Sequence, residues 1–177
     1  MYTDGRSKKV AFVAHCLLNQ NSISDGTAVY PAAFKDVIHT LLDADIGIVQ
    51  LPCPELCCLG LDRGNPDGAN VPVVEENTRI RRPMKEAAAA NKLSALVDHT
   101  MLQINEYCSK GFVIVGIIGA NRSPNCGVET TSDDNRDCWD GTIYAGSCRS
   151  SQGAGLGNPN DRLEKFGRQC REGNEPS

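Results

Sequence analysis

The run Phe112-Val113-Ile114-Val115-Gly116-Ile117-Ile118-Gly119 constrains the fold of this chain more than any other feature. It is nearly all apolar and rich in β-branched residues, and it lacks the period of a helix face, so it reads as a strand covered on both sides. Such strands belong to parallel sheets with helical layers above and below, and this one is expected to be central. Two earlier runs share its character, Lys9-Val10-Ala11-Phe12-Val13-Ala14-His15-Cys16 and Ile46-Gly47-Ile48-Val49-Gln50-Leu51-Pro52-Cys53. Pro52 and Pro54 cannot donate ladder hydrogen bonds, so the second strand must stop there.

Helical patterns lie between these runs. From Pro31, preset for a first helical turn, Phe34, Val37, Ile38, Leu41 and Leu42 fall at i, i+3, i+4, i+7 and i+8, the spacing of one buried face. Leu93, Leu96, Val97, Met101, Ile104, Tyr107 and Cys108 mark the inner face of a long helix, after an Ala-rich helical stretch from Met84 to Ala90. Cys108 is therefore expected in the core. The β-α-β-α-β order requires crossovers, which join parallel neighbours and are nearly always right-handed.

The expected architecture is α/β, a small Rossmann-like three-layer domain with a parallel sheet, spanning residues 1–145 of the 177. The segment Gly60 to Val74, rich in Gly, Pro, Asn and Asp, reads as a long loop, either a cover over a site or a surface excursion. Past Ser132 the pattern degrades, with only Thr142-Ile143-Tyr144-Ala145 resembling the start of a strand. Residues 146–177 read as an atypical tail that packs poorly or is disordered, with a weak helical pattern from Asp161 to Cys170.

The formal net charge of −4 and the pI near 5.4 offer no basic surface for phosphates, which argues against a nucleic-acid polymer as partner. No run approaches the roughly 20 apolar residues of a bilayer span, and the polar stretch Met1 to Lys9 lacks the apolar centre of a secretory signal. The expected partner is thus not a membrane, and the expected compartment is the cytoplasm. Nine cysteines, an odd number, point in a reducing compartment to metal ligation or thiol chemistry more than to a disulfide framework.

Three of those cysteines follow the three predicted strands: Cys16, Cys53 and, after Ala120-Asn121-Arg122-Ser123-Pro124-Asn125, Cys126. Parallel strands end on one rim, where ligands of such sheets collect, so distant cysteines can meet there. One free cysteine is commonly just a small buried hydrophobe. Three at strand exits among Pro, Gly and Asn form a different pattern. Converging thiolates select zinc or an iron–sulfur cluster, and a closed zinc site would recruit ligands from close C-x-x-C pairs, which are absent. Three dispersed ligands leave one metal position open. His15 neighbours Cys16, but strand alternation sends it to the other face. The loop after Cys16 carries Asn19, Asn21, Ser22, Ser24, Asp25 and Gly26, which favour turns and can aim polar groups at a ligand. Asn19 is the candidate substrate-binding residue among them.

His15-Cys16-Leu17-Leu18-Asn19, Cys53-Pro54-Glu55 and Ser123-Pro124-Asn125-Cys126-Gly127, taken together and in order, resemble the thiouracil desulfurase (desulfidase) family over about Lys8 to Thr131. The resemblance implies a [4Fe-4S] cluster held by Cys16, Cys53 and Cys126, whose unligated iron takes sulfur from a thiolated base. It implies a small thiolated substrate, such as a thio-nucleobase, and non-redox hydrolysis. Glu55 and Ser123 become the candidate catalytic residues and Asn121 a substrate-binding one, although Glu55 also reads as a helix-capping or solvated glutamate, and Ser123 and Asn121 as turn residues. Cys57, Cys58 and the tail depart from the family pattern. A non-catalytic iron–sulfur or zinc-binding, redox-sensing domain is the alternative reading of the same thiols.

Overall fold

The computed structural model describes residues 4–120, 123, 125 and 126, with the backbone of two short strands at 131–133 and 136–138. Its centre is a three-stranded parallel sheet of β1 (Lys9–Ala14), β2 (Gly47–Leu51) and β3 (Val113–Ile118), in the order β2-β1-β3. The chain crosses from β1 to β2 through α1 (His15–Leu18) and α2 (Lys35–Asp43), and from β2 to β3 through α3 (Pro54–Leu59), α4 (Val73–Met84) and α5 (Ala87–Ser109). Helices cover the sheet on both sides, so this is a small three-layer α/β domain with a parallel sheet, as expected. Two short strands, β4 (Thr131–Asp133) and β5 (Arg136–Cys138), pair antiparallel in a separate ribbon.

The expected central strand is corrected by the sheet order. β1 lies in the middle, with Ala11, Phe12 and Val13 wholly inaccessible, whereas β3 has one neighbour among the described strands and leaves Val113 and Val115 each 44% exposed. An apolar run shows that a strand is fit for burial. It does not say how many neighbours the strand will have.

The core gathers β1 and the end of β2 with residues of α2 and α5. Phe12, Val13, Leu51, Leu41, Val97 and Ile104 are buried together, and Tyr107 sets its ring edge-on to both Phe12 (6.2 Å) and Phe112 (5.3 Å). The inner face read for the long helix is the one that packs, Leu93, Met101 and Cys108 included, while Leu42 of α2 remains exposed.

α5 stops by a specific device. The Gly111 N–H donates to the Cys108 carbonyl (3.0 Å) and the Phe112 N–H to the Tyr107 carbonyl (3.0 Å), with Gly111 at φ +73° and Tyr107 touching Phe112. This is the Schellman pattern, which needs a left-handed residue just past the helix. Gly111→Ala is expected to cost about 1–2 kcal/mol, because a Cβ disfavours that conformation even where nothing crowds it. Thermal melts should show the midpoint falling by about 2–8 °C.

Besides the short α1, two helices were not legible in advance. α3 begins at Pro54, a residue suited to the first helical position, and α4 occupies Val73–Met84, so that the end of the Gly60 to Val74 segment is already its first turn. That segment holds a short 3₁₀ turn at Gly68–Asn70 and is mostly exposed, but it buries Arg63 and Gly68, so it is packed against the domain at those two residues. Among the described residues no helix is long and apolar enough to cross a membrane. Asn121, the Thr142 to Ala145 run, the Asp161 to Cys170 pattern and the tail at 146–177 lie outside the described residues.

Candidate functional site

Cys16 and Cys53 stand just beyond β1 and β2, and Cys126 lies in a turn further past β3, each held by its own local hydrogen bonds. β1 ends at Ala14, so Cys16 sits in the first turn of α1, where buried Gln20 holds its carbonyl through Nε2 at 2.8 Å. The Gln20 Oε1 also accepts from the backbone N–H of Val29 (3.0 Å) and of Tyr30 (3.4 Å), which ties the following loop to the Cys16 turn. Cys53 caps α3, its Sγ accepting the Leu56 N–H at 3.5 Å. Before Cys126, the Ser123 Oγ accepts the N–H groups of Asn125 (3.3 Å) and Cys126 (3.1 Å), and the Ser123 side chain also hydrogen-bonds the Cys126 thiol.

The three thiols share one environment, because each of Cys16 and Cys126 feels the charge of Cys53, and Cys126 that of Cys16 as well. Burial, first, and then the Cys53 and Glu55 charges push the Cys16 thiol up to about 11, with partial relief from Arg63. Burial is also the largest cause for Cys53, which is raised, and for Cys126, which is raised well above the ordinary thiol value. Gathered thiolates therefore need positive charge to become stable, and a metal that bound them would displace their protons.

Among the described residues no three His, Cys, Asp or Glu groups are grouped so as to hold a single metal ion. A cubane cluster makes a different demand, since its protein thiolates bind separate irons and surround the cluster instead of meeting at one point. The soft, all-sulfur donor set fits such a cluster, and Cys16, Cys53 and Cys126 would be its ligands.

Glu55 joins the three cysteine-bearing segments. Only 6% exposed, it lies in the first turn of α3, and its Oε1 accepts from Asn125 Nδ2 at 2.8 Å. Its Oε2 accepts from Arg63 Nε at 3.4 Å and from the Ser24 hydroxyl at 3.5 Å. Arg63 is buried in turn, donating through Nη1 to the Leu61 carbonyl (2.6 Å) and through Nη2 to the Ser22 carbonyl (2.7 Å) and to Cys53 Sγ (3.8 Å). The Cys16 loop, the Cys53 helix, the Gly60 to Val74 segment and the Cys126 turn are thus linked through one buried ion pair.

A second ion pair anchors the Gly60 to Val74 segment. Arg79 grips Glu76 through Nε (2.8 Å) and Nη2 (2.6 Å), Asn65 Nδ2 bonds the same carboxylate at 3.0 Å, and Arg79 Nη2 holds the Arg63 carbonyl at 2.8 Å. The Arg79 hydrogen bond holds the Glu76 carboxyl below the ordinary value. Arg63 itself stands at φ +52°, followed by Gly64 at +72°.

The sequence-derived candidates fare unevenly. Cys16, Cys53, Glu55, Ser123 and Cys126 come together. Ser123 is committed to the Cys126 turn, and Asn19 spends its Oδ1 on the backbone and side-chain N–H groups of Asn21 (both 3.1 Å), so both perform turn chemistry here. Asn121 lies outside the described residues. His15 requires a correction: it opens α1 instead of continuing β1, so alternation no longer directs it, and burial together with the charge of Arg63 lowers its pKa. Cys57 is exposed, and Cys58 donates to the Ala89 carbonyl of α5 at 3.6 Å. Arg63, Gln20 and Asn125 were not singled out from the sequence. Of these only Asn125 lay inside a recognised motif.

A small parallel α/β domain with three thiols gathered past its strands around a buried Glu–Arg pair is the class that fold and site define. The chain belongs to the family of the "Uncharacterized protein MJ0003" of Methanocaldococcus jannaschii, with which it is 32% identical over 123 residues, 70% of each chain. No family model matches the chain, and no solved structure matches it.

Proposed function

We propose that the chain is an iron–sulfur-dependent desulfidase, taking sulfur from a small thiolated compound such as a thio-nucleobase by non-redox hydrolysis. The observation that carries this reading is the gathering of Cys16, Cys53 and Cys126 around Glu55. Their resemblance to the thiouracil desulfurase motifs supports the same reading. A [4Fe-4S] cluster held there supplies a Lewis-acidic iron with no protein ligand, suited to the soft sulfur of a C=S group.

The residues of the chain then divide the remaining work. Glu55 commits Oε1 to Asn125 at 2.8 Å, whereas Oε2 makes only the two long contacts of 3.4 and 3.5 Å. Oε2 is therefore the oxygen with capacity to accept a proton from an attacking water, with the Ser24 hydroxyl as the exchangeable neighbour. Ser123 keeps the Cys126 turn in shape. No disulfide joins Cys16, Cys53, Cys57, Cys58 or Cys126, which suits a reducing compartment, and we assign the cytoplasm on that basis.

Anaerobic reconstitution of the full chain, followed by assay of sulfide release from 2-thiouracil, tests the proposal. The expected result is iron and sulfide bound to the chain and sulfide released with turnover, with Glu55→Gln keeping its iron but turning over more slowly. Stoichiometric zinc in place of iron overturns the cluster assignment. A loaded cluster with no sulfide release from any thiolated base transfers the site to the non-catalytic, redox-sensing reading.

A further inference from the structure

We propose that Arg63 is the positioning residue that tunes the metal centre, by donating a hydrogen bond from its guanidinium to the sulfur of Cys53. The inference rests on the reading above, in which Cys53 is a cluster ligand, and adds to it a residue that the motifs do not contain.

Arg63 is 3% exposed, and its donors fall into two groups. Those to the Leu61 and Ser22 carbonyls are tight, at 2.6 and 2.7 Å, and they fix the plane of the fork. Those to the Glu55 carboxylate and the Cys53 sulfur are long, at 3.4 and 3.8 Å. A buried guanidinium facing one carboxylate at such a distance is poorly repaid for its lost hydration. A second anionic partner would complete the arrangement, and a thiolate bound to iron at Cys53 is that partner.

The position of the fork is imposed from outside. Gly64 at φ +72° turns the chain, and the Arg63 carbonyl is held by Arg79 at 2.8 Å, itself locked to Glu76. The guanidinium is thereby directed into the space between Ser22, Cys53 and Glu55, joining its own segment to the Cys16 loop and to the start of α3. Reduction potentials of iron–sulfur centres respond to hydrogen bonds on the ligand sulfurs and to local charge, because both withdraw electron density from the thiolate. Arg63 supplies both at Cys53. It should raise the potential and slow the loss of that ligand.

The test compares the full wild-type chain with Arg63→Lys and Arg63→Gln after anaerobic reconstitution, reading the reduction potential and the rate of iron loss to a ferrous chelator. Arg63→Gln is expected to shift the potential downward and to release iron faster, in line with the about 10–100-fold loss of metal affinity usual on removing a group that supports a metal ligand. Arg63→Lys, which keeps the charge without the fork, should restore part of both readings. Folded variants with the wild-type potential and wild-type iron loss overturn this inference alone. A wild-type chain that takes up no iron overturns the cluster reading and this inference with it. If neither variant folds while the wild type loads, Arg63 is structural and the inference fails.

Discussion

If the proposed cluster is held, Cys126→Ala is expected to give a folded chain that retains almost no iron, where the reconstituted wild type is expected to bind about four irons and about four sulfides. The substitution removes one sulfur from a buried, mostly apolar position, a loss comparable to one methylene, so about 1 kcal/mol of stability is at stake. The effect on the metal is of another order, because a cubane left with two thiolates gains water ligands and hydrolyses. Alanine is the informative replacement, since a serine oxygen can itself ligate iron. Cys58→Ala provides the contrast: its thiol is bound to the Ala89 carbonyl, away from the three that share an environment, and its iron should be unchanged. Iron and acid-labile sulfide analysis after anaerobic reconstitution separates these outcomes. Full iron retention by Cys126→Ala would remove that residue from the ligand set.

Strand ends were legible in the sequence because β1, β2 and β3 are short apolar runs between helical patterns, and parallel strands must place their exits on one rim. Cys16, Cys53 and Cys126 could therefore be grouped without knowing any distance. The order of the strands was not legible. β3 is the more apolar of the two candidates for the centre, yet β1 takes the middle, because the position depends on how many partners the rest of the chain supplies. His15 was misplaced for a related reason: periodicity does not mark the residue at which a strand gives way to a helical turn, and here that residue is His15 itself.

The polar half of the site was less accessible still. Gln20 acts through the Cys16 carbonyl and the N–H groups of Val29 and Tyr30, and Arg63 through the Ser22 carbonyl and the side chains of Cys53 and Glu55, pairings that follow no periodic spacing and that nothing in the sequence announces. Glu55 was found through its motif, yet the motif could not show that both carboxylate oxygens are already engaged, one by Asn125 across 70 residues of sequence. Asn19 illustrates the converse. It was a reasonable ligand-facing candidate by position, and it proves to cap a 3₁₀ turn, which is what asparagine does in most loops.

Glu55→Ala is expected to destabilise the chain by about 3–5 kcal/mol, because it strands the Arg63 guanidinium in the interior without its carboxylate. For a domain of this size that corresponds to a melting midpoint lower by about 6–20 °C. The loss also removes the acceptor of Asn125 and of Ser24, so the Cys126 turn and the Cys16 loop lose their shared anchor. Glu55→Gln should be milder, since the amide oxygen can still accept from Asn125 while its amino group opposes Arg63. The pairing itself is isolated by a cycle with Arg63→Met. A methionine fills much of the same volume without a charge, so adding it to Glu55→Ala should cost less than it does in the wild-type background, with the double variant more stable than the sum of the single losses predicts. Strict additivity in urea or thermal unfolding would mean that the 3.4 Å contact carries no coupling, and that the damage from Glu55→Ala comes from Asn125 and Ser24 instead.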